Sequence, residues 1–274
     1  MPSGSDGRGP FTDPPAKRVL GNAQRAYRAP VAHPRCDSWL LCATPRSGST
    51  LLCGLLESSG VAGHPASYFN RRGLHDYATG WRVPRPPEGR IDSAYVQAAR
   101  VAGSTSNGVF GGRLMAESRP ELVGDLAAEA DHPPASELEL LTGQLGRVRF
   151  VHLRRLDVVA QAVSWAKSLQ THFWHPGERI EPGAEAPHYD EELIQRLVTT
   201  IEQFEADWRT WFTQQRITPF EVTYEQLAVD PLFVARQVLD FLDLEVEEGH
   251  ELVVRAARQA DQVNAQWVER FQSR

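Results

Sequence analysis

Ser38-Trp39-Leu40-Leu41-Cys42-Ala43-Thr44-Pro45-Arg46-Ser47-Gly48-Ser49-Thr50-Leu51-Leu52-Cys53-Gly54-Leu55-Leu56 is the stretch whose reading decides the fold. It opens with an apolar run of strand length. Small, polar, Gly and Pro residues follow. Then Leu51, Leu52, Leu55 and Leu56 recur at the spacing of one helical face. A strand, a tight loop and a helix in this order aim successive backbone N–H groups at an anion, and the positive end of the helix dipole adds to them. Gly48 lets the backbone approach closely. Ser47, Ser49 and Thr50 offer hydroxyls, and Arg46 offers a planar cationic fork. Thr44-Pro45-Arg46-Ser47-Gly48-Ser49-Thr50 therefore reads as a phosphate cradle. The plainer alternative is a hydrophobic strand and helix joined by an ordinary Ser/Gly turn.

The stretch is not a Walker A loop. That motif reads Gly-x-x-x-x-Gly-Lys. Here Ala43 and Ser49 stand where the first Gly and the Lys belong. Arg46 supplies the charge from inside the loop instead. A magnesium-dependent kinase or NTPase is disfavoured on these residues.

Around this stretch lie 274 residues, 41% hydrophobic and 23% charged, with 7 Trp. That is enough for one sizeable domain, or a domain with a small subdomain. The formal net charge of -6 argues against a strongly basic nucleic-acid surface, while leaving room for a local basic site. Cys36, Cys42 and Cys53 have no metal-ligand spacing, so no metal is expected. Buried free thiols at Cys42 and Cys53 fit a reducing compartment. No apolar run reaches the roughly 18 residues of a membrane span, and the N-terminus lacks an apolar signal core. A soluble cytoplasmic protein is the expectation.

Residues 1–35 are rich in Pro, Gly and Arg and read as a mobile arm, with residues 36–274 as a single domain. Residues 70–107 show no clean period and read as a binding loop or lid. Val109 to Met115 reads as a short strand in which Gly111 and Gly112 mark the close approach of a backbone or ligand. Arg113 stands out of it, with an ordinary surface arginine as the even alternative. Pro120 to Ala130 should be helical. Val148 to Leu153 is the next strand, followed by a turn at Arg154-Arg155-Leu156-Asp157, with Asp157 as an N-cap. Val158, Val159, Ala162, Val163, Ala166 and Leu169 then trace a helical face. This second strand–loop–helix unit sets a basic pair where ligands bind in open α/β sheets, with Ser164 further along. It suits a second phosphate. Residues 190–213 form a long helix, Pro219 to Tyr224 a third strand, and residues 232–243 an amphipathic helix. The segment Arg258 to Phe271 is, as a bare pattern, a polar tail with one aromatic anchor.

Four stretches together resemble sulfotransferases that use 3′-phosphoadenosine 5′-phosphosulfate, above all the bacterial trehalose-sulfotransferase family. They are Thr44 to Leu52; Asn107 to Met115; Phe150 to Val159 with Gln161 to Trp165, Gln170, Thr171 and Trp174; and Arg258 to Ala260 with Trp267, Arg270 and Phe271. The resemblance implies a P-loop NTPase-like α/β sandwich of three layers, its central, mainly parallel sheet flanked by helices. It implies that Thr44, Pro45, Arg46, Ser47, Gly48, Ser49 and Thr50 hold the 5′-phosphosulfate. It assigns the 3′-phosphate to Arg155 and Ser164, with help from Arg258, and puts Tyr224 near the adenine. It further implies a hydroxyl acceptor on a carbohydrate, a glycolipid or another small molecule, and a possible homodimer.

One position departs from the pattern. The family usually reads Gly-x-Pro-x-Glu-aromatic-Phe after the first helix, and the Glu deprotonates the acceptor. Here Gly63-His64-Pro65-Ala66-Ser67-Tyr68-Phe69 puts Ser67 in its place. Serine cannot accept that proton at neutral pH, so His64 is the expected base, with His75, Asp76 and Glu117 as other candidates. The departure also motivates a second reading, a silent binder of 3′-phosphoadenosine 5′-phosphate. A P-loop nucleotide kinase is the third.

Overall fold

Along strand β1 (Ser38–Ala43) every residue is buried, and alternate residues enter different cores. Side chains on a strand alternate faces, so a wholly apolar strand needs cover on both sides. The computed structural model describes residues 36–84, 89–171, 186–254 and 262–273. Strands β2 (Phe110–Met115), β3 (Val148–Arg154) and β4 (Phe220–Thr223) join β1 in one parallel sheet of order β2-β1-β3-β4. The register sets Leu41 between Arg113 and Val151, and Cys42 between Leu114 and His152.

Trp39, Leu41, Val151, Leu153 and Val222 point to one face. There they meet helix α1 (Ser49–Ser58) through Leu52, Leu55 and Leu56. Two further helices cover that face, α8 (Tyr224–Val229) and α9 (Pro231–Leu242), the latter through Val234, Val238 and Leu242. Leu40, Phe110, Leu114 and Phe150 point the other way. They lie under α2 (Leu74–Trp81), α3 (Ser93–Ala102), α4 (Ser118–Glu129), α5 (Glu137–Leu145) and the long α7 (Glu191–Gln214). Each fully buried side chain of this kind contributes about 1.5–3 kcal/mol. The result is the expected three-layer α/β sandwich.

A smaller third cluster joins α6 (Val158–Thr171), α7 and α10 (Gln262–Gln272) through Val163, Ala166, Ile194, Ile201, Trp267 and Phe271. The polar C-terminal tail is thus corrected to a helix whose two aromatic residues, one turn apart, dock on α6. Residues 70–107 are corrected too. They contain α2 and α3, whose narrow apolar faces bury Leu74, Ala78, Tyr95, Val96 and Ala99. Tyr77 and Trp81 stack at 5.1 Å beside Tyr68 and Tyr95. The close approach read at Gly111 is by backbone, since a Cβ there would lie 2.6 Å from the Ala62 carbonyl oxygen. The arm 1–35, the loop 172–185 and Arg258 lie outside the described residues. Among the described residues no helix is long and apolar enough to cross a membrane.

Candidate functional site

Strand order turns around at β1, which has β2 on one side and β3 on the other. Open α/β sheets form their ligand crevice outside the strand carboxyl ends at such a switch point. The segment Thr44 to Thr50 leaves β1 there. It reaches α1 through two left-handed residues, Arg46 at φ 64° and Gly48 at φ 95°. Such a φ is strained for Arg and free for Gly. Gly48 is required twice over, because a Cβ would come 2.7 Å from Cδ2 of Tyr224. No side chain caps α1, and its first turn holds no acidic residue. Its positive end is left for an outside anion.

The loop is braced from beneath. Thr44 and Ser47 are fully buried. Ser47 Oγ donates to the Thr44 carbonyl at 2.8 Å, which turns inward a hydroxyl expected to face the anion. Gln161 Nε2 donates to Thr44 Oγ1 at 2.8 Å and to the Pro45 carbonyl at 2.7 Å. Thr44 Oγ1 in turn donates to Glu205 Oε1 at 3.2 Å.

The second unit meets the first. Arg46 Nε donates to Ser164 Oγ at 3.1 Å. The Arg155 guanidinium lies 4.4 Å from the centre of the Tyr224 ring, in cation–π contact, and that ring also touches Gly48. Glu225 holds the turn by accepting from the backbone N–H groups of Leu156 and Asp157. Asp157 Oδ1 caps α6 by accepting from Ala160 N–H at 2.8 Å. Thr44 to Thr50, Arg155, Ser164 and Tyr224 therefore converge at the carboxyl ends of the central strands.

A third group of residues lies on the β2 side of the loop. Arg113 is half-buried rather than a surface residue. Its Nε donates to Ser67 Oγ at 2.7 Å and its Nη1 to Thr50 Oγ1 at 3.2 Å. Ala116 N–H donates to the Ala43 carbonyl at 3.1 Å, which brings Glu117 next to the root of the loop. Glu117 is exposed, yet the desolvation it does feel raises its pKa from the ordinary carboxylate value, against the pull of its own backbone N–H, Arg72 and Arg113. His64 is placed elsewhere. Its Nδ1 lies 3.3 Å from Glu57 Oε1, at the C-terminal end of α1. The loop is at the other end, about 12 Å away along the axis at the α-helical rise. His75 and Asp76 are exposed in the first turn of α2.

Arg113, Gln161 and Glu205 carry more of this site than their sequence positions announce. Gln161 did leave a signal, a polar residue amid the apolar face of α6. Arg113 is a lone charge in an apolar strand, which signals burial with partners but does not name them. Among the described residues no group of His, Cys, Asp and Glu is set to hold a metal ion.

An uncapped helix N-terminus with an arginine in its loop and a second cationic turn beside it is suited to receive anionic groups. The family model for Stf0 sulphotransferase matches residues 38–274, and the chain belongs to that family. Trehalose 2-sulfotransferase of Mycolicibacterium smegmatis is 32% identical over 262 residues, covering 87% of this chain and 95% of the relative. Trehalose 2-sulfotransferase of Mycobacterium tuberculosis is 28% identical over 256 residues, covering 86% and 94%. A solved sulfotransferase domain from the Synechococcus PCC 7002 olefin synthase covers 91% of this chain and 92% of its own, at a TM-score of 0.40 and 14% identity. The protein is thus a sulfotransferase.

Proposed function

We propose that this sulfotransferase moves a sulfuryl group from 3′-phosphoadenosine 5′-phosphosulfate to a hydroxyl of a carbohydrate or a related small acceptor. One observation carries the donor assignment. The cationic turns of both strand–loop–helix units come together, Arg46 on Ser164 at 3.1 Å and Arg155 on Tyr224 at 4.4 Å, with Tyr224 touching Gly48. A donor phosphorylated at both ends of its ribose needs two neighbouring anion sites, and ATP needs only one. Arg258 is retained as a further 3′-phosphate contact.

In sulfuryl transfer the acceptor oxygen bonds to sulfur as the bond from sulfur to the leaving phosphate oxygen breaks in line. Negative charge grows on that phosphate. The protein has to orient the two reactants and stabilise this charge, as in phosphoryl transfer. Arg46 and the N–H groups opening α1 are suited to it. The acceptor hydroxyl must also give up its proton. We assign that proton to Glu117 ahead of His64, because Glu117 follows β2 directly beside the loop and its raised pKa makes it a stronger base than an ordinary carboxylate. Ser67 then keeps Arg113 in place through its 2.7 Å bond.

Trehalose, named for both relatives, is the first acceptor to try. The changed residue at Ser67 is the reason to test other sugars and glycolipids beside it. The three cysteines Cys36, Cys42 and Cys53 are free and buried, which supports a reducing, cytoplasmic setting. Calorimetry with 3′-phosphoadenosine 5′-phosphate in the absence of magnesium tests the donor site, and binding of magnesium–ATP alone would overturn it. Transfer from labelled donor to an acceptor panel tests catalysis. Tight binding without transfer to any hydroxyl would instead support the silent binder that the missing glutamate suggests.

A further inference from the structure

Beneath the phosphate loop lies a chain of side chains, buried at its centre, that the reaction itself does not call for. Thr44 Oγ1 donates to Glu205 Oε1 at 3.2 Å. The other oxygen, Glu205 Oε2, lies 3.2 Å from His152 Nε2. On the far side of the ring, His152 Nδ1 lies 3.1 Å from both carboxylate oxygens of Glu221. The imidazole is 1% exposed, while Glu205 and Glu221 are 13% and 51% exposed. A neutral imidazole has one N–H and one lone pair, so it would turn a lone pair toward one of these carboxylates. Only the imidazolium is attracted to both, through Nδ1 in hydrogen bonds to Glu221 and through Nε2 at ion-pair distance from Glu205, without hydrogen-bond alignment.

We propose that His152 is a positioning residue for the phosphate loop: its imidazolium holds Glu205 where Glu205 accepts from Thr44, and donor affinity is thereby tied to pH. This rests on the donor reading given above. His152 sits at the centre of β3, and charged or titratable groups face it from each packed element. Glu205 comes from α7 and Glu221 from β4. Cys42 pairs with it across from β1, and burial keeps that thiol neutral. Arg154 on its own strand shares Glu221, at 3.8 Å. Arg119 of α4 lies over the Trp208 ring, which borders the imidazole together with Phe212. Burial alone would lower the His152 pKa, but the two carboxylates, Glu205 and Glu221, outweigh it and push the value up to about 8.

The direction follows. Below about pH 8 the imidazolium bridges the two carboxylates. Above it the proton leaves, and Glu205 loses its cationic partner and turns toward water. Thr44 then loses its acceptor, and the root of the loop loosens.

The test is calorimetric affinity for 3′-phosphoadenosine 5′-phosphate from about pH 7 to about pH 9, a range in which the nucleotide phosphates are already ionised. Wild-type affinity should weaken about tenfold, the scale of one hydrogen bond to a charged group. Glu205→Gln keeps an acceptor for Thr44 and offers an N–H to neutral His152, so it should bind with an affinity flat across the range. His152→Gln should bind more weakly at neutral pH and lose the alkaline slope. A histidine with only a structural role would shift the melting temperature with pH and leave wild-type affinity flat, which overturns the inference alone. No binding at any pH would bring down the donor reading and this inference together.

Discussion

The loop after β1 passes through two left-handed residues, Arg46 and Gly48, whereas the turn after β3, residues 154–157, has none. The first is buried and braced from below by Gln161 and Glu205. The second is open, with Leu156 57% exposed, and is held at its backbone by one carboxylate, Glu225. Both present an arginine. The difference in build matches the difference in task proposed above. Where bonds change, donors must be fixed before the reaction, because reorienting them during it raises the barrier. Where a distant phosphate is only anchored, a cation on a stacked ring suffices. Damage on the two sides should therefore separate, the first lowering kcat and the second weakening donor affinity.

The sharpest cut is at the reacting end. Glu117→Gln should lower kcat by about 10²–10⁴-fold with donor affinity intact, as steady-state and binding measurements would show. An unchanged kcat would return His64 to first place, and His64→Ala would then be the variant that loses activity. At the anchoring end, Arg155→Ala should weaken nucleotide binding by about 10–100-fold, the worth of a charged hydrogen bond, with a far smaller change in kcat at saturating donor. A drop confined to kcat would break the proposed division. Gly48→Ala probes the strained side from the fold outward. The left-handed backbone costs an alanine about 1–2 kcal/mol, and its Cβ must push the Tyr224 ring aside. Melting temperature and donor affinity should fall together, as thermal denaturation and calorimetry would register. The smallest effect is expected from Glu225→Gln, which still accepts one backbone N–H of the turn and should cost about 1 kcal/mol or less in donor binding.

The loop could be read from consecutive residues because its shape is local. A strand, a glycine turn and a helix are written in one short segment, and the second unit repeats the pattern at Arg155. Arg113 could not be read that way. Its partners Ser67 and Thr50 stand 46 and 63 positions away, and the β1–β2 pairing together with the Ala66–Gly112 bridge brings them in. His64 looked suitable by its chemistry and its closeness to Ser67. The fold pairs it with Glu57 instead, since the chain runs back along α1 before it reaches Ser67. Helices α2, α3 and α10 escaped because each buries only two or three residues, and their docking on Phe110 or α6 is set by tertiary contact. His152 was visible as a polar residue inside an apolar strand, but its two carboxylate partners arrive from α7 and β4.

The Tyr224 ring touches the glycine of one turn and lies beneath the arginine of the other. In the proposed donor site it acts as a gauge, one aromatic ring wide, that sets how far apart two anionic groups can be received. A thicker or thinner residue there would retune the pocket to a nucleotide of another length. Since any side chain at position 48 would push the ring aside, those two positions can change only in concert.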